Sequence, residues 1–202
     1  MIGFRRWTAA LLVVIASAAP ALAEGKIYLG LGGAGSTYGT GCEDLEKLGF
    51  EGRCDDNGSS RKLFVGYQFR PRLGVEASVN DFGASTFSGV LEGLPVAGRV
   101  EASGATLAGV ASVGLGQRSS LLFKLGACSW DLESRGAVVG IPLTTSARAS
   151  GVSPLFGLGL SYRAGKHAEL RFEAEHVSGV GDERTTGRDD LDFGTLAILW
   201  RF

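Results

Sequence analysis

Beyond its first 23 residues, the sequence lacks any apolar run long enough to cross a bilayer as a helix. A spanning helix needs about 20 consecutive apolar residues, so a helical membrane protein is excluded. Histidine and cysteine are scarce, with two and three residues, and none has the spacing typical of a metal site. The 20 basic and 21 acidic residues nearly balance, without a basic tract. We therefore expect no metal, no cofactor and no nucleic-acid partner.

The N-terminus has the three-part layout of a secretory signal peptide. Two arginines precede an apolar stretch, which Pro20 ends, and a small-residue site with Ala21 and Ala23 follows. A membrane-anchoring helix is the alternative, but the strongly apolar run is too short to span. We predict that residues 1–23 are cleaved, which leaves one domain over residues 24–202.

The sequence is rich in hydrophobic residues (45%) and in glycine (32 residues). In hydrocarbon every backbone polar group must be satisfied internally, so a closed barrel is the remaining way to cross a membrane. Glycines are typical of a narrow barrel, where inward side chains have little room.

From residue 25 onward, apolar residues alternate with polar or small residues in segments of about ten residues. Leu121 and Phe123, for example, share one face of a segment whose other face carries Lys124 and Cys128. Period two is the pleat of a strand. The predicted strands are 26–35, 61–70, 73–80, 100–115, 121–130, 156–162, 168–175 and 195–202.

The apolar faces are assigned to lipid, because the opposite faces combine glycines with charges. Aromatic residues near strand ends also favour an interfacial girdle: Tyr67, Phe69, Tyr162, Trp200 and Phe202. A soluble sandwich or a lipocalin-like barrel is the alternative.

The connections between the predicted strands alternate in length. Those at 71–72, 116–119 and 163–166 are short, whereas the long, polar ones are 36–60, 83–99, 131–151 and 177–190. Short periplasmic turns and long external loops are typical of outer-membrane barrels. The predicted fold class is therefore all-β: an eight-stranded antiparallel transmembrane up-and-down β-barrel in a Gram-negative outer membrane, with both termini periplasmic.

Several segments, in order and spacing, resemble the OmpA-like transmembrane domain family: 28–30, 66–68, 74–76, 152–157, 170–173, 179–182 and 194–202. The terminal Phe202, with Trp200, Ile198 and Leu196 at alternate positions before it, looks like the signal that this family presents to the barrel assembly machinery. Because the chain ends there, we expect no peptidoglycan-binding domain.

Five charged residues have inward parity and form a candidate salt-bridge network in the lumen: Glu76, Lys124, Arg171, Glu173 and Glu175. Charges in a narrow lumen must pair or stay hydrated. By resemblance, Glu76 and Arg171 match a network that plugs the lumen, but Val110 and Ser161 stand where the family would place a lysine and a glutamate. A static network and a narrow ion path both remain open.

Cys42 and Cys54 lie 12 residues apart in the first long connection. In an oxidising compartment they are a possible disulfide, and Cys128 is then an inward filler.

His176, Ser178 and Asp190 have the residue types of a serine hydrolase and resemble the His-x-Ser of outer-membrane lipid A deacylases. However, Gly179 follows the serine where those enzymes carry an asparagine, and Ser178 is expected in a loop. We therefore predict no catalytic residues and no enzyme.

The resulting expectation is a structural, surface-exposed role, with four external loops. The alternatives are a narrow diffusion channel and, less favoured, a lipid A deacylase-type hydrolase. The expected partners are outer-membrane lipid, lipopolysaccharide and the barrel assembly machinery, and the expected state is a monomer. What the loops bind does not follow from the sequence.

Overall fold

Antiparallel strands make up nearly all of the chain that the computed structural model describes, which is residues 25–38, 47, 49–55, 57–91, 93–140, 143–182 and 187–202. The strands in these ranges are β1 Lys26–Tyr38, β2 Glu51–Asp55, β3 Asn57–Arg70, β4 Leu73–Leu91, β5 Leu94–Gly114, β6 Ser119–Val138, β7 Leu143–Arg163, β8 Ala168–Asp182 and β9 Gly187–Arg201. No helix in these ranges could span a membrane. The expected signal peptide, with Ala21 and Ala23, lies outside the described residues.

Eight of these strands close into a ring. Neighbours pair antiparallel in the order β4, β3, β1, β9, β8, β7, β6 and β5, and β5 pairs again with β4. The first and last strands are joined from Tyr28 opposite Arg201 to Tyr38 opposite Leu191. Closure leaves these strands without a free edge, so the ladders satisfy their backbone groups. The eight ring strands correspond to the eight predicted ones, but β2 was not predicted.

Side chains alternate between the outside and the lumen of the ring. Leu31, Leu107 and Leu125 are 67%, 65% and 63% exposed on the outside, whereas Tyr28 and Phe64, with the opposite parity, are buried. A soluble sheet would bury the apolar set, but here it forms the exterior. The exposed aromatic residues at the short-turn end of the ring lie on β3, on β7 and at the end of β9: Phe69, Tyr162, Trp200 and Phe202.

Four strands continue far beyond the ring. The β4–β5 pairing runs to Leu91 opposite Leu94, and the β6–β7 pairing runs to Val138 opposite Leu143. The prediction of long loops at 83–99 and 131–151 is therefore wrong, because these segments are the distal halves of two hairpins. Their Ser, Thr and Gly residues carry little apolar signal, but most of them pair with a residue across the hairpin. Glycines with positive φ, Gly93 (81°) and Gly140 (91°), lie at the turns.

β2 adds to this extension by pairing with residues 86–90 of β4. The result is an outer sheet of five strands in the order β2, β4, β5, β6 and β7, formed by residues 51–55, 84–91, 94–101, 131–138 and 143–151. The predicted loops 36–60 and 177–190 are likewise shortened, because β1, β3, β8 and β9 extend into them.

The outer sheet carries charges on the face continuous with the ring exterior. Glu133 accepts hydrogen bonds from Arg135 (Nη2–Oε1, 2.6 Å) and Arg148 (Nη2–Oε2, 2.9 Å). These hydrogen bonds lower the pKa of the Glu133 carboxyl below its usual value. Arg99 pairs with Glu101 in the same way on β5. These five charged side chains of the sheet surface are therefore paired with one another.

Candidate functional site in the lumen

Six charged side chains meet in the middle of the lumen, and we call them the charged cluster: Lys62, Glu76, Lys124, Arg171, Glu173 and Glu175. They come from β3, β4, β6 and β8, and each is at most 5% exposed. Their inward direction follows from parity, because each alternates with an exterior residue of its strand. Three cations and three carboxylates give the cluster a formal charge of zero.

Within the charged cluster, each carboxylate contacts more than one cation. Lys124 Nζ lies 2.5 Å from Glu76 Oε1 and 2.6 Å from Glu173 Oε1. Arg171 Nη1 donates to Glu76 Oε2 at 2.6 Å. Lys62 Nζ lies 3.0 Å from Glu173 Oε2 and also bonds Glu175. This sharing offsets the loss of hydration, since an unpaired buried charge is very costly.

The network continues toward the short-turn end of the ring. Tyr28 donates its hydroxyl to Glu76 Oε2 at 3.0 Å. Arg201 donates to Glu169 Oε2 at 2.7 Å and to Gln68 Oε1 at 2.8 Å, and Glu169 Oε1 lies 3.8 Å from Arg171 Nη2. Polar contacts therefore run from the middle of the lumen to this rim.

An apolar plug fills the lumen on the other side of the charged cluster. Phe82 and Phe193 have ring centroids 4.9 Å apart. Trp130 donates its indole N–H to Ser153 Oγ at 2.8 Å, so its one polar atom is satisfied. The plug residues, all buried, are Phe82, Ala102, Ala108, Cys128, Trp130, Leu132, Leu155, Val177, Val180, Leu191 and Phe193. Side chains thus occupy the lumen above the charged cluster.

The structure brings together the five charged residues that the sequence singled out, and it adds Lys62. Inward parity alone assigns Lys62 to the lumen, but nothing local to β3 indicates which carboxylates it meets, because they are 111 and 113 positions away. At the two positions where the sequence departs from the family pattern, Val110 and Ser161 are buried. The two lysines of the charged cluster are Lys62 and Lys124.

Among the hydrolase-like residues, His176 and Asp190 are not each other's closest polar partners. His176 Nδ1 is bonded to Asp192 Oδ1 at 2.8 Å, whereas its Nε2 lies 3.9 Å from Asp190 Oδ2. Asp190 Oδ1 instead accepts the backbone N–H of Gly179. Ser178 lies on β8 rather than in a loop, so that expectation is wrong. Asp192 is the partner that the sequence reasoning missed.

The cysteines divide into two environments. Cys54, on β2, is disulfide-bonded, and Cys42 lies outside the described residues. Cys128 is a free thiol buried in the apolar plug.

The four residues of the expected assembly signal all face outward near the end of the chain. Leu196, Ile198, Trp200 and Phe202 are 61%, 59%, 51% and 71% exposed.

The chain is similar to outer-membrane proteins in sequence. A family model described as the OmpA-like transmembrane domain matches residues 22–202. Outer membrane protein A of Yersinia pseudotuberculosis is 30% identical over 140 residues, which cover 69% of this chain and 38% of that protein. Outer membrane protein A of Klebsiella pneumoniae is 26% identical and covers 73% of this chain and 44% of that protein. The chain thus spans about two fifths of the length of these relatives.

Solved structures agree on the fold. Ail, the attachment invasion locus protein of Yersinia pestis, superposes with a TM-score of 0.57 at 19% identity, covering 89% of this chain and 99% of that one. The N-terminal β-barrel domain of Pseudomonas aeruginosa OprF gives a TM-score of 0.51 at 11% identity, covering 88% and 97%.

Proposed function

Because this chain belongs to the OmpA-like transmembrane domain family and is an integral protein of the Gram-negative outer membrane, we propose that it is a closed, eight-stranded up-and-down transmembrane barrel with a structural and surface role. The barrel anchors the outer sheet at the cell surface and carries no catalytic site. The main observation that supports this proposal is that the charged cluster and the apolar plug together fill the lumen.

The proposed orientation puts the short turns and both termini in the periplasm and the outer sheet outside the cell. Outer-membrane barrels typically have short periplasmic turns and longer external connections. The aromatic residues at the short-turn end support this, since Tyr162, Trp200 and Phe202 would lie at the inner interface. The paired charges of the outer sheet, such as Glu133 with Arg148, suit a hydrated surface.

A closed lumen is favoured over a diffusion channel by two successive barriers. The charged cluster is neutral and tightly paired, so an ion passing it would have to break contacts of 2.5–3.0 Å. The Phe82 and Phe193 rings of the apolar plug then oppose a hydrated ion, because they offer it no polar partner. A barrel of about eight strands is also only wide enough for side chains to fill.

Planar-bilayer conductance tests this proposal. We expect the wild-type protein to be silent and Glu76→Ala to stay silent, because the apolar plug is intact. Combining Glu76→Ala with Phe82→Ala and Phe193→Ala should open a path, whereas the exterior change Phe172→Ala should not. Stepwise wild-type currents that Glu76→Ala alters would instead establish the channel and refute the closed barrel.

Three further assignments belong to this proposal. Cys42 and Cys54 form a disulfide that ties β2 to the segment preceding it in the sequence, since Cys128 is the only other cysteine in the sequence and is a free thiol. The exposed C-terminal residues present the assembly signal to the barrel assembly machinery. The protein acts as a monomer among outer-membrane lipid and lipopolysaccharide.

A further inference from the structure

A shallow trough crosses the outer surface of the ring from β6 over β7, β8 and β9 to β1. Its floor is formed by Gly35, Ala174 and Gly194, and its wall by Phe156 and Leu158. Its volume is about 560 Å³, within the range of about 300–1,000 Å³ that is common for small-molecule sites. The strand register explains this shape. Leu158 pairs with Ala174, and Ala174 pairs with Gly194, so the side chains become smaller from β7 to β9.

The trough lies in the apolar exterior, where lipid rather than water covers it. Phe172 and Leu196, one outward position further toward the short-turn end, are 55% and 61% exposed. Since lipid tails are as apolar as this wall, occupancy depends on van der Waals packing rather than on exclusion from water. A floor of two glycines and one alanine allows an acyl chain to contact the strands more closely than larger side chains would.

The end of the trough nearer the outer sheet is polar. His176 pairs with Phe156 on one side and with Asp192 on the other, so both polar residues adjoin the apolar wall. The side chains of His176, Asp190 and Asp192 are 39%, 56% and 66% exposed. Carboxylates accept hydrogen bonds from hydroxyl and amide groups. The chemistry therefore fits an acylated sugar.

We propose that the trough binds one acyl chain of an outer-leaflet glycolipid, whose hydroxyl or amide groups donate hydrogen bonds to Asp192 and Asp190. This inference rests on the proposed function, because His176 and Asp192 meet the outer leaflet only if the outer sheet points away from the cell. A phospholipid could also supply an acyl chain, but the sugar and acyl substituents of a glycolipid offer more hydroxyl and amide donors to the two carboxylates.

The glycine at the centre of the floor allows the trough to be filled without disturbing the strand. A Cβ added at Gly194 would have the Glu173 carbonyl oxygen, at 3.9 Å, as its nearest neighbour, so the backbone leaves room for the Cβ of Gly194→Leu. Gly109→Leu is the matched control. This exposed residue of β5 lies outside the trough, and its added Cβ would meet only the Leu125 carbonyl oxygen, at 3.7 Å.

The test is native mass spectrometry of the full-length protein purified from outer membranes and incubated with equal amounts of rough lipopolysaccharide and phosphatidylethanolamine. We expect the wild type and Gly109→Leu to retain one glycolipid. Gly194→Leu should retain it about tenfold more weakly, a change of about 1.4 kcal/mol. Asp192→Asn should reduce the preference for the glycolipid over the phospholipid.

Equal retention by the wild type and Gly194→Leu would overturn the proposal, and so would preferential retention of phosphatidylethanolamine. External protease digestion of intact cells separates this outcome from failure of the proposed function. If the outer sheet is cleaved from outside but no glycolipid is retained, only the lipid site is wrong. If the outer sheet is reached only from the periplasm, the proposed orientation is wrong.

Discussion

Removing Lys62 should destabilise the barrel more than removing any surface lysine. Lys62→Met leaves the charged cluster with a net charge of −1 and withdraws the close partner of Glu175, whose other cation, Lys124 Nζ, lies 3.5 Å away. Glu173 and Glu76 keep contacts of 2.5–2.6 Å with Lys124 and Arg171. Removing one partner of a buried ion pair lowers the free energy of unfolding by about 3–5 kcal/mol. Because the cluster shares its contacts, we expect the lower end of that range.

A second substitution tests whether Glu175 carries the charge that Lys62→Met leaves unpaired. Glu175→Gln removes that charge, so the double variant should regain more than half of the unfolding free energy lost in Lys62→Met. This coupling lies within the range of about 0.5–3 kcal/mol for residues in contact. The assay is urea unfolding from lipid vesicles, read by heat-modifiable gel mobility, with exposed Lys166→Met as the control. If Lys62→Met matches Lys166→Met, or if the double variant is no more stable than the single one, the charge-balance reasoning fails.

The other predictions concern the plug, the outer sheet and the disulfide. Phe193→Ala should cost about 3–5 kcal/mol in the same unfolding assay, whereas lipid-exposed Phe172→Ala should cost far less; equal losses would mean that the plug is not packed. The pKa of Glu133 is lower in the folded protein than in the unfolded chain. Its ion pairs therefore stabilise the outer sheet fully at a pH above the pKa of the unfolded chain, and this stabilisation is lost as the pH falls through the pKa of the folded protein. The protection of amides 131–138 from exchange, corrected for the pH dependence of intrinsic exchange, should therefore fall in acid, and Glu133→Gln should remove that pH dependence; an unchanged dependence would contradict the assignment. Cys54→Ser and Cys42→Ser should equally accelerate amide exchange in β2, whereas Cys128→Ser should not, and different effects of the first two would argue against their pairing.

The division of each ring strand into two faces could be predicted from the sequence, because period two is a local property. Counting along one strand is enough to assign Leu125 to the exterior and Lys124 to the lumen on β6, and to separate Phe172 from Glu173 on β8. The inward direction of five members of the charged cluster follows in the same way. Their partners do not, since Glu76 meets Arg171 across 95 positions and only ring closure brings them together.

The outer sheet and the apolar plug were not predicted, for related reasons. Residues 84–99 and 131–151 contain many Ser, Thr, Gly and Arg residues, which are also typical of loops, and their strand character depends on the partner across each hairpin. Phe193 and Leu191 lie just outside the last predicted strand, so their inward direction was not considered. Asp192, between them, was missed as the partner of His176 because the alignment of β8 with β9 sets that contact.

The central claim is that the apolar side of each strand touches acyl chains, and quenching by brominated lipids tests it directly. In a chain that begins at Glu24, Trp130 and Trp200 are the only tryptophans. Trp200 is 51% exposed on the exterior, whereas Trp130 is 5% exposed in the plug. Brominated lipids should therefore quench the fluorescence of Trp130→Phe strongly and that of Trp200→Phe weakly. The opposite pattern would mean that the apolar faces form a water-excluding core instead.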